Sequence, residues 1–225
     1  MDNWSLLATL QHADSFFPSG AVSFSWGLEA LRADGLVRSA DDVALFAAGQ
    51  LRHRWATADR SVLTAAYAAG DDLEAVAAID RLQEAMALPL ELRSGSRRMG
   101  AALLGVHARL QTPNAVSYHS HVLTQRVPGH VSVVQGLVWR GIGLDRGVAI
   151  GMSAHSFCVG LIGAALRLGV VGHLDGQRIL ATLRNLIVEL LATPVPGLHE
   201  ISTFTPACDI AFMRHEVQPG RLFAN

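Results

Sequence analysis

The sequence contains no lysine; all eighteen of its basic residues are arginine. That absence excludes several chemistries. A Walker A loop needs a lysine at the phosphates, so the chain is not a P-loop nucleotidase. Schiff-base catalysis needs a lysine amine, and the kinase and β-lactamase signatures need one as well. Cysteine is scarce: Cys158 and Cys208 stand alone with no CxxC pair, the usage of a reducing, cytoplasmic compartment. Charge is scarce too. Charged residues make up 16% of the chain and hydrophobic ones 50%, whereas an ordinary soluble domain is about 25% charged. Some apolar surface is therefore expected to stay exposed or to be covered by a partner. The net charge of −1 lacks the basic footprint that phosphate binding needs, which argues against nucleic acid. No basic-then-apolar leader opens the chain, since Asp2 and Asp14 flank the first apolar stretch.

What is present is helical periodicity. Ser39 with Asp42 reads as a capping box, followed by Val43, Phe46, Ala47 and Leu51 on one face. Asp71 and Glu74 read as a second box, leading into Ala75, Ile79, Leu82 and Met86. Pro89 suits a first helical position. Leu92, Met99, Leu103, Val106 and Leu110 form a stripe with Arg93, Arg97 and Arg98 off it, and Ile179, Leu183, Leu186 and Leu190 form another. The valine-rich segment 131–139 has strand propensity, but no strand elsewhere in the pattern could pair with it, so it reads as helix. Thr112-Pro113-Asn114 and Val127-Pro128-Gly129 bracket an expected middle linker. Half of the eight prolines (Pro194, Pro196, Pro206 and Pro219) lie near the end. The reading is an all-α, single-domain helical bundle over 1–193, followed by a partly extended arm over 194–225. A short helix in the arm starts at Pro206, with Thr205 as its cap.

Candidate chemistry is thin. From Gly147 to Leu166 the run GVAIGMSAHSFCVGLIGAAL carries no formal charge and matches a bilayer crossing of about 20 residues. Gly147 and Gly151 have the spacing of a membrane dimer motif. Its four glycines, Ser153, Ser156 and His155 fit the central helix of a soluble bundle better, with a membrane-associated helical protein as the alternative. Gly151-Met152-Ser153-Ala154-His155 approaches the nucleophile elbow but ends in histidine and follows no strand, leaving a small Ser/His hydrolase as a second alternative. His119 and His121, with Cys158, Cys208 or His215, do not make a zinc pattern. Glu29, Glu189 and Glu200 form no carboxylate pair of the kind acid–base catalysis uses. Phe16, Phe17, Phe24 and Trp26 crowd together as either a core corner or an interface anchor.

Four stretches carry a resemblance. LLATLQHADSFFPSGAVSFSWGLEAL, through Leu6, Leu7, Asp14, Ser15, Pro18, Gly20, Ser23, Phe24, Ser25, Gly27, Leu28 and Glu29, resembles the opening of the urease accessory protein F family. ELRSGSRRMGAALL resembles its arginine-rich middle helix through Glu91, Arg93, Ser96, Met99, Gly100 and Leu103. His130, Gly136, Arg167, Leu168, Gly172, Gly176 and Gln177 match later helices. PACDIAFMRHEVQPGRLFAN is similar to the family tail through Pro206, Asp209, Ala211, His215, Glu216, Arg221, Leu222 and Phe223. The resemblance implies an all-α protein with no catalytic site, no cofactor and no metal site of its own. It implies binding to a D/H-type accessory protein, recruitment of a nickel-binding G-type GTPase, docking on apo-urease and a homodimer. Pro18, Gly20, Phe24, Glu29, Asp209, His215, Glu216, Arg221, Leu222 and Phe223 are the residues expected to serve partners. Of these, Leu222 and Phe223 are expected to enter a partner's apolar pockets and Arg221 to make a forked contact. The tail alone is expected to bury too little surface to offset its ordering cost.

Overall fold

A computed structural model describes residues 2–14, 16–218 and 220–223; Met1, Ser15, Pro219, Ala224, Asn225 and the side chain of Val22 lie outside the described residues. The structure is 70% helical, and among the described residues there is no strand. The helices in order are α1 (Asn3–Ala13), α2 (Leu28–Ala33), α3 (Ala40–Gln50), α4 (Arg60–Ala69), α5 (Leu73–Met86), α6 (Leu90–Arg109), α7 (Ala115–Leu123), α8 (Val131–Gly141), α9 (Arg146–Arg167), α10 (His173–Leu191) and α11 (Pro206–His215). The Ser39–Asp42 capping box starts α3 as expected.

The uncharged run lies in α9, which packs against α1, α2, α3, α4, α8 and α10. The stretch between its terminal arginines can sit at such a crossing because it brings no formal charge that needs desolvating. By length and composition α9 is apolar enough to cross a membrane, yet 56% of that stretch is buried inside the bundle. The valine-rich segment is indeed helix α8: burial of Val133, Val134, Leu137 and Val138 overrides β-propensity. Gly136 lets α8 approach α4, since a Cβ there would stand 2.5 Å from the Leu63 carbonyl oxygen.

Between α3 and α4 the helix continues π-wound through Leu51–Asp59, with the Arg60 amide bonding to the Trp55 carbonyl. This polar stretch is buried because its charges find partners. Arg54 Nε meets Asp59 Oδ2 at 3.3 Å. Arg60 reaches the carbonyls of Leu190, Thr193 and Pro194 at the end of α10, where the helix dipole favours a cation.

Several local readings are corrected. Asp72, not Asp71, caps α5, accepting from the Ala75 amide at 3.0 Å, while Asp71 accepts from the Asn114 side chain. Pro89 is the N-cap of α6 rather than its first helical residue. The expected linker 112–129 holds α7, whose inner edge is Ala115 and Tyr118. On α5 the buried face is Val76, Ala77, Ile79 and Asp80, with Ala75, Leu82 and Met86 only half-buried. On α6 His107, rather than Leu110, closes the buried stripe.

The buried Asp80 on α5 and the placing of α7 go with a polar cluster in the interior. Asp80 accepts from the Gly129 amide at 2.6 Å, the His130 amide at 2.9 Å and the Tyr118 hydroxyl at 2.8 Å. His130 meets Ser96 Oγ at 3.0 Å and Glu84 Oε2 at 2.7 Å with its two ring nitrogens. Burial raises the Asp80 carboxyl above the ordinary carboxylate range, and the two amides oppose that rise.

Candidate functional site

The last described residues close onto a second polar cluster. It starts at a turn where Trp26 and Gly27 both have left-handed backbone, φ 58° and 83°. That conformation is uncommon for a bulky residue. Trp26 is held by an edge-on contact with Phe157 at 5.0 Å and by the Arg54 guanidinium 4.8 Å from its ring. Gly27 is needed for φ rather than for space: a Cβ there would stand in ordinary contact, 3.5 Å from Ala211 and from the Cys208 carbonyl on α11. The turn launches the short helix α2, with Leu28, Glu29, Ala30 and Leu31 all buried.

Glu29, only 7% exposed, holds the tail by its backbone. Its Oε1 accepts from the Leu222 amide at 2.7 Å, and its Oε2 accepts from the Phe223 amide at 3.1 Å. His215, at the end of α11, is fully buried between two carboxylates. Its Nε2 lies 2.9 Å from Glu29 Oε2 and its Nδ1 lies 2.8 Å from Glu91 Oε2. An imidazole donates from both nitrogens only as the cation, so this is the geometry of an imidazolium clasped by two anions. Arg221 adds the second positive charge, donating to Glu91 Oε1 at 2.9 Å. Two carboxylates and two cations thus balance, the condition under which buried charge is tolerated. For the Glu29 carboxyl, burial raises the pKa, but the Leu222 amide, His215 and the Phe223 amide outweigh it and hold the group below its ordinary value.

The structure brings together Glu29, His215, Arg221, Leu222 and Phe223 from the expected set. Phe223 is not held out for a partner: it is 5% exposed in the chain's own bundle, with the Arg167 guanidinium 4.5 Å over its ring. The Glu29 and Glu91 carboxylates and Arg167 receive the tail within the chain's own bundle. Phe24 is buried below the Arg98 guanidinium, 5.2 Å away, where Gly95 leaves room for its ring. Pro18 is exposed beside α6, and Gly20 adopts left-handed backbone against Ala102. Asp209 sits on the outer start of α11, its carboxyl raised by burial, and Glu216 is exposed. Of the four crowded aromatics, Phe24 and Trp26 are core, Phe17 is half-buried and Phe16 is exposed.

Glu29 and Glu91 meet around His215 as a charge clasp, a convergence the sequence reading did not name. Glu91 was matched only as part of a helix, and no spacing could link residues so far apart. Also missed were Ile210 and Met213, exposed on α11, and Val217, exposed just after it, while Cys208, Ala211, Phe212 and His215 are buried. The steps of three and four between them were legible, but a helix with two apolar faces gives no sign of which one turns inward.

The alternatives find no geometry. The Ser153 hydroxyl accepts from Trp55 Nε1 at 3.2 Å and donates to Gln135 Oε1 at 3.1 Å, whereas His155 is exposed on another side of α9. Among the described residues no group of three or more His, Cys, Asp or Glu is arranged to hold a metal ion. Burial pushes both cysteine thiols up to about 12, which keeps them unreactive.

Comparison with known proteins places the chain in a family. The UreF family model matches residues 37–184. The chain is 35% identical over 230 residues to urease accessory protein UreF of Trichodesmium erythraeum, covering 97% of this chain and 96% of the relative. It is 33% identical over 234 residues to the UreF of Kocuria rhizophila, with coverage of 97% and 96%. It is 32% identical over 229 residues to that of Rhizobium meliloti, with coverage of 99% and 97%. The α11 tail and the turn at Trp26 lie outside the matched family segment, but the relatives align over nearly the whole chain. On these findings the chain belongs to the UreF family of urease accessory proteins.

Proposed function

We propose that this protein is a non-catalytic, cytoplasmic assembly subunit that works without a cofactor. It binds the D/H-type accessory protein through its tail, recruits the nickel-binding G-type GTPase, and docks with them on apo-urease for nickel loading. The observation that carries this reading is the clasp of Glu29 and Glu91 on His215 and Arg221. It fixes α11 and the residues after it, along which Ile210, Met213, Val217 and Leu222 are exposed. Large apolar side chains left exposed beside a buried anchor are the kind of surface a partner covers. In this reading Phe223 and the buried charges are the anchor, and the outer face of α11 with Leu222 is the contact. The missing lysine agrees, because GTP hydrolysis then belongs to the partner.

The homodimer has separate support. Helix α1 buries only Ser5, while Trp4, Leu6, Leu7 and Leu10 remain exposed and the helix carries no arginine, aspartate or glutamate. Such a helix suits a second copy of itself, since a two-fold contact must be self-complementary. The test is co-expression with the accessory proteins followed by size-exclusion chromatography. Removing residues 216–225 is expected to leave a folded helical protein that no longer co-elutes with the D/H partner. Co-elution unchanged by that truncation defeats the reading.

A further inference from the structure

His12 of α1 and His107 of α6 stack with ring centroids 5.1 Å apart and planes 18° from parallel, and Phe17 covers both, 4.7 Å from His12 and 6.1 Å from His107. His107 is fully buried. Its Nδ1 meets Thr112 Oγ1 at 2.9 Å, and the Nδ1 of His12 donates to the Ala8 carbonyl at 2.7 Å. The Nε2 atoms of both rings are buried without a partner. For His12 the tautomer is set by Ala8, so Nε2 holds a bare lone pair, and a proton added there points at no acceptor. Among the described residues no carboxylate bonds to either ring. Asp14 and Asp59 border the adjoining cavities along with Arg54, Arg167 and His173, and His119 and His121 lie on the neighbouring α7, but none of these bonds to either ring. A cation in either imidazole is therefore buried, unpaired and pressed against the other ring.

We propose that the His12–His107 stack is an acid-release clasp, in which protonation of either ring undocks α1 from the bundle. Helix α1 suits release, since Ser5 is its only fully buried residue and its large apolar side chains already face outward. Without α1, His107 loses the stacked ring of His12, so the released state is the one in which its imidazole opens toward water and takes up the proton. The direction agrees: burial, then the charge of His12, holds His107 down to about 4, and burial lowers His12 as well. For a histidine whose pKa falls on docking, the contact is at full strength above about 6.5 and is lost as pH drops toward 4. That difference makes α1 docking roughly 30-fold weaker at pH 5 than at pH 7.5.

The test is hydrogen exchange of the α1 amides in the full chain from pH 7.5 to 4.5, corrected for intrinsic rates, with the Leu222 amide as an internal reference. Protection of residues 3–13 is expected to fall roughly 30-fold by pH 5, while Leu222 protection holds. In the His12→Gln/His107→Gln double variant, α1 protection is expected to be flat across the range. Wild-type protection that stays flat, or a double variant that follows the wild-type curve, overturns the proposal. If the double variant does not fold, the wild-type imidazole resonances decide. Titration of His107 well below 6.5, in step with loss of α1 protection, supports the clasp; ordinary titration with α1 still protected rejects it.

Discussion

Asp80 and Glu29 each accept hydrogen bonds from two consecutive backbone amides, Gly129 and His130 in one case, Leu222 and Phe223 in the other. Each cluster also contains a fully buried histidine that pairs with a glutamate: His130 with Glu84 and His215 with Glu91. The local chemistry is nearly the same, and the position in the chain makes the consequences differ. Asp80 fastens the loop between α7 and α8, so every residue it holds leads into a packed helix on both sides. Glu29 fastens Leu222 and Phe223, which follow α11 and have a described helix on one side only. Their charge environments differ accordingly. Asp80 is held by amides and a phenol, and burial wins, so its carboxyl is raised. Glu29 faces His215 as well as two amides, and its carboxyl is lowered. One carboxylate is therefore part of the core, and the other is a fastening for a surface element.

The most damaging way to break the comparison is Asp80→Ala. It leaves two amides and the Tyr118 hydroxyl buried without acceptors, at a cost of about 3–5 kcal/mol, to be read as a fall in the midpoint of urea denaturation. Gly100→Ala is next. A Cβ there would stand 1.9 Å from the Gly129 carbonyl oxygen, which forces the same loop off Asp80. The expected loss is about 1–3 kcal/mol, again by urea denaturation, with the far-UV helical signal kept in water. If Gly100→Ala were neutral, the loop would be looser than its hydrogen bonds imply, and the contrast with the tail would weaken.

Changes at the tail should separate stability from binding. Glu29→Gln keeps the shape but removes a charge that faces His215, and should destabilise the fold by about 1–2 kcal/mol while costing co-elution with the D/H-type partner. Arg221→Ala is gentler still. Its side chain is 42% exposed, so the melting temperature should hardly move; exposed pairs contribute about 0–1 kcal/mol. Its effect on urease activation should be much larger. Equal losses in melting temperature and activation for Arg221→Ala would make the clasp structural only.

How much of this was legible follows the same division. Where the apolar residues at steps of three and four are the buried ones, periodicity recorded burial, as for Val43 and Ala47 on α3 and Leu51 just past its end. The Asp80 cluster was not legible, because a lone aspartate inside a helical pattern looks like a solvated face. It shifted the readings of α5 and of the 112–129 segment for that reason. At the tail the residue types were legible as a resemblance, but their direction was not. His215, Arg221 and Phe223 turn inward because Glu29, Glu91 and Arg167, distant in sequence, converge there.

The finest separation comes from pH, where the two carboxylates should respond with opposite sign. Glu29 is lowered in the folded state, so its contribution is complete above the ordinary carboxylate value and is lost as pH falls through its lower folded value. Asp80 is raised, so the folded state binds its proton first, and that site contributes less stability as pH rises through the interval above the ordinary value. Amide chemical shifts report each carboxylate directly, because Leu222 donates to Glu29 and Gly129 to Asp80. The Gly129 resonance should therefore titrate at higher pH than an ordinary aspartate, and the Leu222 resonance at lower pH than an ordinary glutamate. Between those two midpoints the interior carboxylate is already neutral while the tail is still clasped. If both resonances titrated together, the two clusters would be one electrostatic unit, and the distinction between core and fastening would fail.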